Sequence, residues 1–131
     1  MPTAQNPLSV DVTLPREDVV LVAVDGYLDH DTATEFRHHL ANQLHHGRHH
    51  FVLDLSAVPF MDSSGMNIIL RIYQEARRTG GTVQVLTPTP AVRRVLDLTG
   101  VSITVPVCGS LEEALELIDR TAAEPPATQE A

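Results

Sequence analysis

Apolar and polar residues alternate from Leu8 to Leu14, with Leu8, Val10, Val12 and Leu14 set against Ser9, Asp11 and Thr13, the period of a strand with one buried face. Pro15-Arg16-Glu17-Asp18 reads as a turn, and Val19-Val20-Leu21-Val22-Ala23-Val24 is a continuous apolar run of the kind found in a central strand. These two segments predict an antiparallel hairpin. The period then changes. Ala33, Phe36, Leu40 and Leu44 share one helical stripe, with Asp29, Asp31 and Thr32 as candidate caps at its start, an end near His46 and a stop at Gly47. Phe51-Val52-Leu53-Asp54-Leu55 predicts the third strand.

A second helix is predicted after Phe60-Met61-Asp62-Ser63-Ser64-Gly65, with Met66, Ile69, Leu70 and Tyr73 at i, i+3, i+4 and i+7, running to about Arg78 before Thr79-Gly80-Gly81. Thr82 to Leu86 reads as a strand. Thr89 caps a short helix with Pro90 at its first position and Gly100 at its end, burying Val92, Val95 and Leu96. Val101, Ile103, Val105 and Val107 alternate with Ser102, Thr104 and Pro106, which predicts a further strand, at a sheet edge because of the proline. A capping box from Ser110 to Glu113 opens the last helix, which buries Leu111, Ala114, Leu115 and Ile118. Strands separated by helices imply parallel pairing, so the expectation is a single α/β domain over 8–121, a mixed sheet of about five strands flanked by about four helices. Residues 1–7 are expected to be mobile, and the Ala/Pro/Glu segment 122–131 to be disordered.

At 131 residues the chain has the size of one domain. Its net charge is −8, it contains no lysine, and its arginines form no long basic run, which argues against nucleic acid as a partner. The missing lysine also removes Schiff-base chemistry and the glycine-lysine-serine phosphate loop. A lone Cys108 offers no disulfide and no dithiol pair. No run approaches membrane length and no signal pattern opens the chain, so the expectation is a cytoplasmic protein without direct membrane binding. His45, His46, His49 and His50 flank Gly47 and read as a solvated turn. No metal and no cofactor are expected.

The chemistry therefore concentrates in Asp62-Ser63-Ser64-Gly65. Asp and Ser are residue types that cap helices, so the stretch can be simply a cap. The serines can also be nucleophiles or phosphate acceptors. A nucleophile needs a base and an oxyanion hole; the Gly-x-Ser-x-Gly elbow is absent, and only His30 lies in a loop that could neighbour Ser63. A phosphate at this position would add about −1.5 to −2 charges where a helix N-terminus tolerates them. Ile68 and Ile72, at i and i+4 on the flank of the second helix, read either as a wide core stripe or as partner contacts.

Together, Gly26-Tyr27-Leu28-Asp29 with Thr32-Ala33, Leu53-Asp54-Leu55, Phe60 to Gly65, Thr79-Gly80-Gly81 and Pro90-Ala91-Val92-Arg93-Arg94-Val95-Leu96 resemble a STAS domain, most of all the bacterial anti-sigma factor antagonists. The resemblance spans about 8 to 120. It implies partner switching: the unphosphorylated antagonist binds an anti-sigma factor with serine kinase activity and frees a sigma factor, phosphorylation ends the binding, and a protein phosphatase restores it. The acceptor maps onto Ser63, with Ser64 as the alternative, and Asp62 matches the acidic residue before it. Partner binding is then expected at Asp29, His30, Asp62, Ser63, Ser64, Gly65, Met66, Asn67, Ile68 and Ile72. Asn67 stands where many members have a small glycine. On this reading the protein is not an enzyme. The other readings are a STAS module serving as a structural or sensory subunit of a stress-signalling or transporter complex, and a serine hydrolase.

Overall fold

The computed structural model describes residues 8–123. Strands β1 (Ser9–Arg16), β2 (Val19–Asp25), β3 (His50–Ala57), β4 (Thr82–Leu86) and β5 (Val107–Cys108) form one sheet in the order β1-β2-β3-β4-β5. The hairpin β1–β2 is antiparallel and every other pair is parallel. Helices α1 (Ala33–His45), α2 (Ser63–Arg78), α3 (Pro90–Leu98), α4 (Val101–Thr104) and α5 (Leu111–Ala123) make the connections and the C-terminal cover. Because side chains alternate across a strand, the sheet has a core on each face. Val20, Val22 and Val24 of β2, Phe51, Leu53 and Leu55 of β3, and Val83 and Val85 of β4 pack with Phe36, Leu40, Ile69, Ile72 and Ala76 of α1 and α2, and with Val92 and Leu96 of α3. Val19, Val52, Leu86 and Cys108 face the other way, onto Ala114 and Ile118 of α5.

The mixed sheet of five strands is as expected, and among the described residues five helices flank it where about four were expected. The extra one is α4, where a strand was predicted from Val101 to Val107. Gly100 has φ 80°, a left-handed conformation that ends α3 and lets a new turn begin at once. Val105 then donates its N–H to Val101 O at 2.8 Å, and Ser102 Oγ donates to Asp97 Oδ1 at 2.7 Å. Val101 and Val105 are both buried while Ile103 is 89% exposed. Alternate apolar residues four apart also satisfy one helical turn, and the core takes that solution. Only Val107–Cys108 is left for the strand, at the sheet edge as Pro106 implied. α5 runs on through Ala122 and Ala123, two residues into the segment expected to be disordered; the remainder of that segment and the expected mobile residues 1–7 lie outside the described residues.

The buried stripe of α2 is Gly65, Ile69, Ile72 and Ala76. Met66, Leu70 and Tyr73, expected at its centre, are only partly buried. Ile72, a candidate partner contact, is 3% exposed and belongs to the core. The reason is that α2 packs on both β4 and α1, so its apolar arc must be wide.

At the N-terminal end of the parallel strands, His50 is buried, its Nδ1 2.9 Å from Thr82 Oγ1 and its Nε2 3.7 Å from Asp18 Oδ2. Burial lowers its pKa below the ordinary histidine value; Asp18 opposes that shift without reversing it. A group that binds its proton more readily when unfolded makes the fold less stable as pH falls. The expected outcome is stability that is full above the unfolded pKa of about 6.5 and declines as pH drops through that value toward the lower native one. Urea unfolding midpoints from pH 8 to pH 5 check this, and His50→Gln should flatten the decline.

Candidate functional site

Beyond Asp25, the pairing of β2 with β3 continues into the loops that follow them. Gly26 N–H donates to Ala57 O at 3.2 Å, Leu28 N–H to Phe60 O at 3.0 Å, and Asp62 N–H to Leu28 O at 3.1 Å, which makes an isolated parallel bridge between Leu28 and Met61. Leu28 and Met61 point into the core, 0% and 2% exposed. Their neighbours along each loop alternate outward. Tyr27 and Phe60 stand side by side with ring centroids 5.8 Å apart, and Asp29 and Asp62 follow on the same edge.

Each aspartate organises its own loop. Asp29 Oδ1 accepts from the N–H groups of Asp31 at 3.0 Å and Thr32 at 3.1 Å. The buried Thr32 hydroxyl donates to Tyr27 O at 2.6 Å and accepts from Asp29 N–H at 3.1 Å, so α1 starts from a locked turn. Asp62 is the N-cap of α2, with φ −106° and ψ −169°, and its Oδ1 accepts from Ser64 N–H at 2.8 Å. Downstream, Thr89 Oγ1 donates to Val58 O at 2.7 Å, fastening the loop after β3 to the start of α3.

This geometry separates the serines. Ser63 is the first residue of α2; it is exposed, and its hydroxyl makes no hydrogen bond among the described residues. Ser64 is half-buried and its N–H serves the cap. Ser63 is therefore not the cap that Asp-Ser-Ser-Gly could have made it. Gly65 is buried beneath them because a Cβ there would come within 2.8 Å of Leu28 Cβ and 3.0 Å of both Leu28 O and Met61 Cγ. Only a residue without a side chain lets α2 descend onto the bridge. Asn67, one turn on from Ser63, is exposed, while Met66 and Ile68 are half-buried.

Of the ten residues proposed from sequence, Asp29, His30, Asp62, Ser63, Ser64 and Asn67 therefore gather on one accessible end of the molecule, with Met66 and Ile68 partly accessible beside them. Ile72 and Gly65 lie beneath that surface. His30 is exposed and makes no hydrogen bond to either serine, and His49 and His50 sit at the opposite end of β3. Among the described residues no three His, Cys, Asp or Glu side chains converge as metal ligands, and no helix is long and apolar enough to cross a membrane. Sequence reasoning passed over Tyr27 and Phe60. The signal was present: Tyr27-Leu28-Asp29 and Phe60-Met61-Asp62 are the same aromatic-apolar-aspartate triplet in two loops.

The sequence pattern of the STAS domain matches residues 12–114, from within β1 to within α5. The chain belongs to the STAS domain family. An anti-sigma F factor antagonist from Paenibacillus polymyxa is 34% identical to this STAS domain over 98 residues, which cover 74% of this chain and 84% of the relative. The crystal structure of an anti-sigma factor antagonist from Mycobacterium paratuberculosis aligns with a TM-score of 0.78 at 29% identity, over 90% of this chain and 99% of that one. The Bacillus cell fate determinant SpoIIAA in its phosphorylated form aligns with a TM-score of 0.66 at 22% identity, over 84% of this chain and 99% of that one, a likeness of fold.

In this STAS domain the cap lies in Asp62 and the free hydroxyl in Ser63, so their alanine variants should diverge. Asp62→Ala should cost about 0.5–2 kcal/mol by removing the side chain that satisfies Ser64 N–H. Ser63→Ala should stay within about 0.5 kcal/mol, since the hydroxyl lost is exposed and has no hydrogen-bond partner among the described residues. Chemical denaturation of both variants against wild type checks the order.

Proposed function

We propose that this protein is an anti-sigma factor antagonist switched by phosphorylation of Ser63. The observation that carries the reading is the Ser63 hydroxyl, exposed and without a hydrogen bond among the described residues, at the first position of α2 on a platform fixed by its neighbours. Its partner on this reading is an anti-sigma factor with serine kinase activity, which the unphosphorylated form binds so that a sigma factor is released. A protein phosphatase returns the phosphorylated form to the active state, and the exchange takes place in the cytoplasm, where transcription is controlled.

Phosphoryl transfer would leave the fold in place. The Ser63 oxygen attacks the γ-phosphorus of ATP on the kinase, the bond to the β-phosphate oxygen breaks, ADP leaves, and the hydroxyl proton passes to a base of the kinase. The new dianion sits among the unpaired N–H groups of a helix N-terminus, which favour negative charge. Binding responds in the opposite direction. At an interface from which a docked partner excludes water, the phosphoserine would lie beside Asp62, which precedes it in the chain. Like charges in that setting repel, and a desolvated phosphate without a cation costs several kcal/mol. Turning 99:1 bound into 1:99 requires about 5.5 kcal/mol, which is of that size. Ser64 fits the acceptor role less well, because it is half-buried beside the cap it serves.

The test is partner affinity measured beside thermal unfolding. Ser63→Ala should bind the kinase within about threefold of wild type and accept no phosphate at that position, whereas the phosphoprotein should lose about 100-fold or more in affinity with its fold intact. Ser63→Asp carries less charge and should fall between them. Equal affinity of the phosphorylated and unphosphorylated proteins would contradict the assignment, and phosphorylation that persists in Ser63→Ala but vanishes in Ser64→Ala would move the acceptor.

A further inference from the structure

The two edges of the sheet differ in kind. β5 is two residues long and follows Pro106, so it offers another chain almost nothing to pair with. β1 is eight residues long, and among the described residues it pairs with β2 alone, which leaves one side of its backbone without a strand partner. The features that usually blunt such an edge gather at its far end, in Pro15 and the irregular register between Thr13 and Arg16. From Ser9 to Thr13 the pairing with β2 is regular, and Asp11 is the one charged residue from Ser9 to Leu14. Leu14 is 46% exposed there, while Val10 and Val12 are half-buried against the core beneath α1 and α2.

We propose that β1 pairs antiparallel with β1 of a second copy, joining two five-stranded sheets into one. The side chains choose the register. Opposite residues in an antiparallel pair share a face of the sheet, so the two-fold axis passes through a residue facing its own copy. Centred on Asp11, the pairing opposes two carboxylates. Centred on Thr13, it runs Val10 and Asp11 against Arg16 and Pro15, across the irregular end. Centred on Val12, it sets Val12 against Val12 and Val10 against Leu14 on one face, and Asp11 against Thr13, a donor for its carboxylate, on the other. This last register covers Leu14, opposes no like charges and keeps Pro15 at the margin. One edge of this length buries less than the roughly 800 Å² per partner of a standard interface, so the dimer is weak and exchanging. Antiparallel joining turns the two sets of parallel strands in opposite directions. The two Ser63 loops then stand at opposite ends of the joined sheet, each open to its own partner, and the dimer does not depend on the switch.

Sedimentation equilibrium of the full chain from about 10 µM to 1 mM, at about 0.3 M salt to screen the net charge of −8, tests this. The mass should rise from one copy toward two, with a dissociation constant on the order of 100 µM. Thr13→Asp opposes Asp11 with a second carboxylate, twice per dimer by symmetry, and should weaken association about fivefold or more; Thr13→Arg should tighten it about threefold. Adding Asp11→Asn to Thr13→Asp should recover most of the loss. Position 13 is exposed, so melting temperatures of the dilute proteins should hardly move. The mass of a single copy at 1 mM would overturn the proposal and leave the edge to a different chain. A dimer indifferent to the charge at position 13 would overturn it as well, by placing the contact elsewhere.

Discussion

The parallel bridge between Leu28 and Met61 is the constraint on which the site depends. Two main-chain hydrogen bonds, Leu28 N–H to Phe60 O and Asp62 N–H to Leu28 O, carry the sheet's register past the ends of its strands into what would otherwise be independent loops. Burial of Leu28 and Met61 anchors that extension in the core, and the alternation of side chains then dictates what faces outward. The aromatic pair, the two aspartates and the first residue of α2 are placed by the same register. Gly65 completes the arrangement, because any side chain there would push α2 away from Leu28.

Local and global forces agree at this end of the molecule. The parallel strands deliver their C-terminal ends together, the usual location of functional loops in open α/β sheets. Asp62 ends one loop by satisfying a helix N–H, Asp29 and Thr32 lock the other, and Thr89 fastens the base of the first to α3. Such a platform suits a switch that must alter binding without altering fold. On the proposed reading, a charge added at the tip of α2 meets a helix terminus that welcomes it, and its energetic consequence falls on the partner.

Much of this was legible in the residues. The alternation of Leu8 to Leu14, the apolar run from Val19 to Val24 and the glycine stops set out the mixed sheet, and Asp62-Ser63-Ser64-Gly65 marked the start of α2 correctly. What local pattern could not resolve was competition between periods and between neighbours. Val101 to Val107 fits both a strand and a helical turn followed by a short strand; the left-handed Gly100 and the burial of Val101 with Val105 decide it. Which of three adjacent polar residues caps α2 depends on backbone angles, and Asp62 takes that role where Ser63 could have. Ile72 looked like a flank until α2 proved to be packed on both α1 and the sheet. Tyr27 and Phe60 required knowing that two distant loops are zipped in register, a long-range fact that their matching triplets hint at only in hindsight.

The central claim is that phosphate at Ser63 acts on a platform that remains closed. Amide hydrogen exchange at Leu28 and Asp62, followed by NMR in the unphosphorylated and the Ser63-phosphorylated protein, tests it most directly. The account predicts that both amides keep their protection to within about threefold in the phosphoprotein, because their bonds belong to the extended sheet and not to the serine. Protection that collapses on phosphorylation would contradict it, showing that the phosphate works by opening the loops.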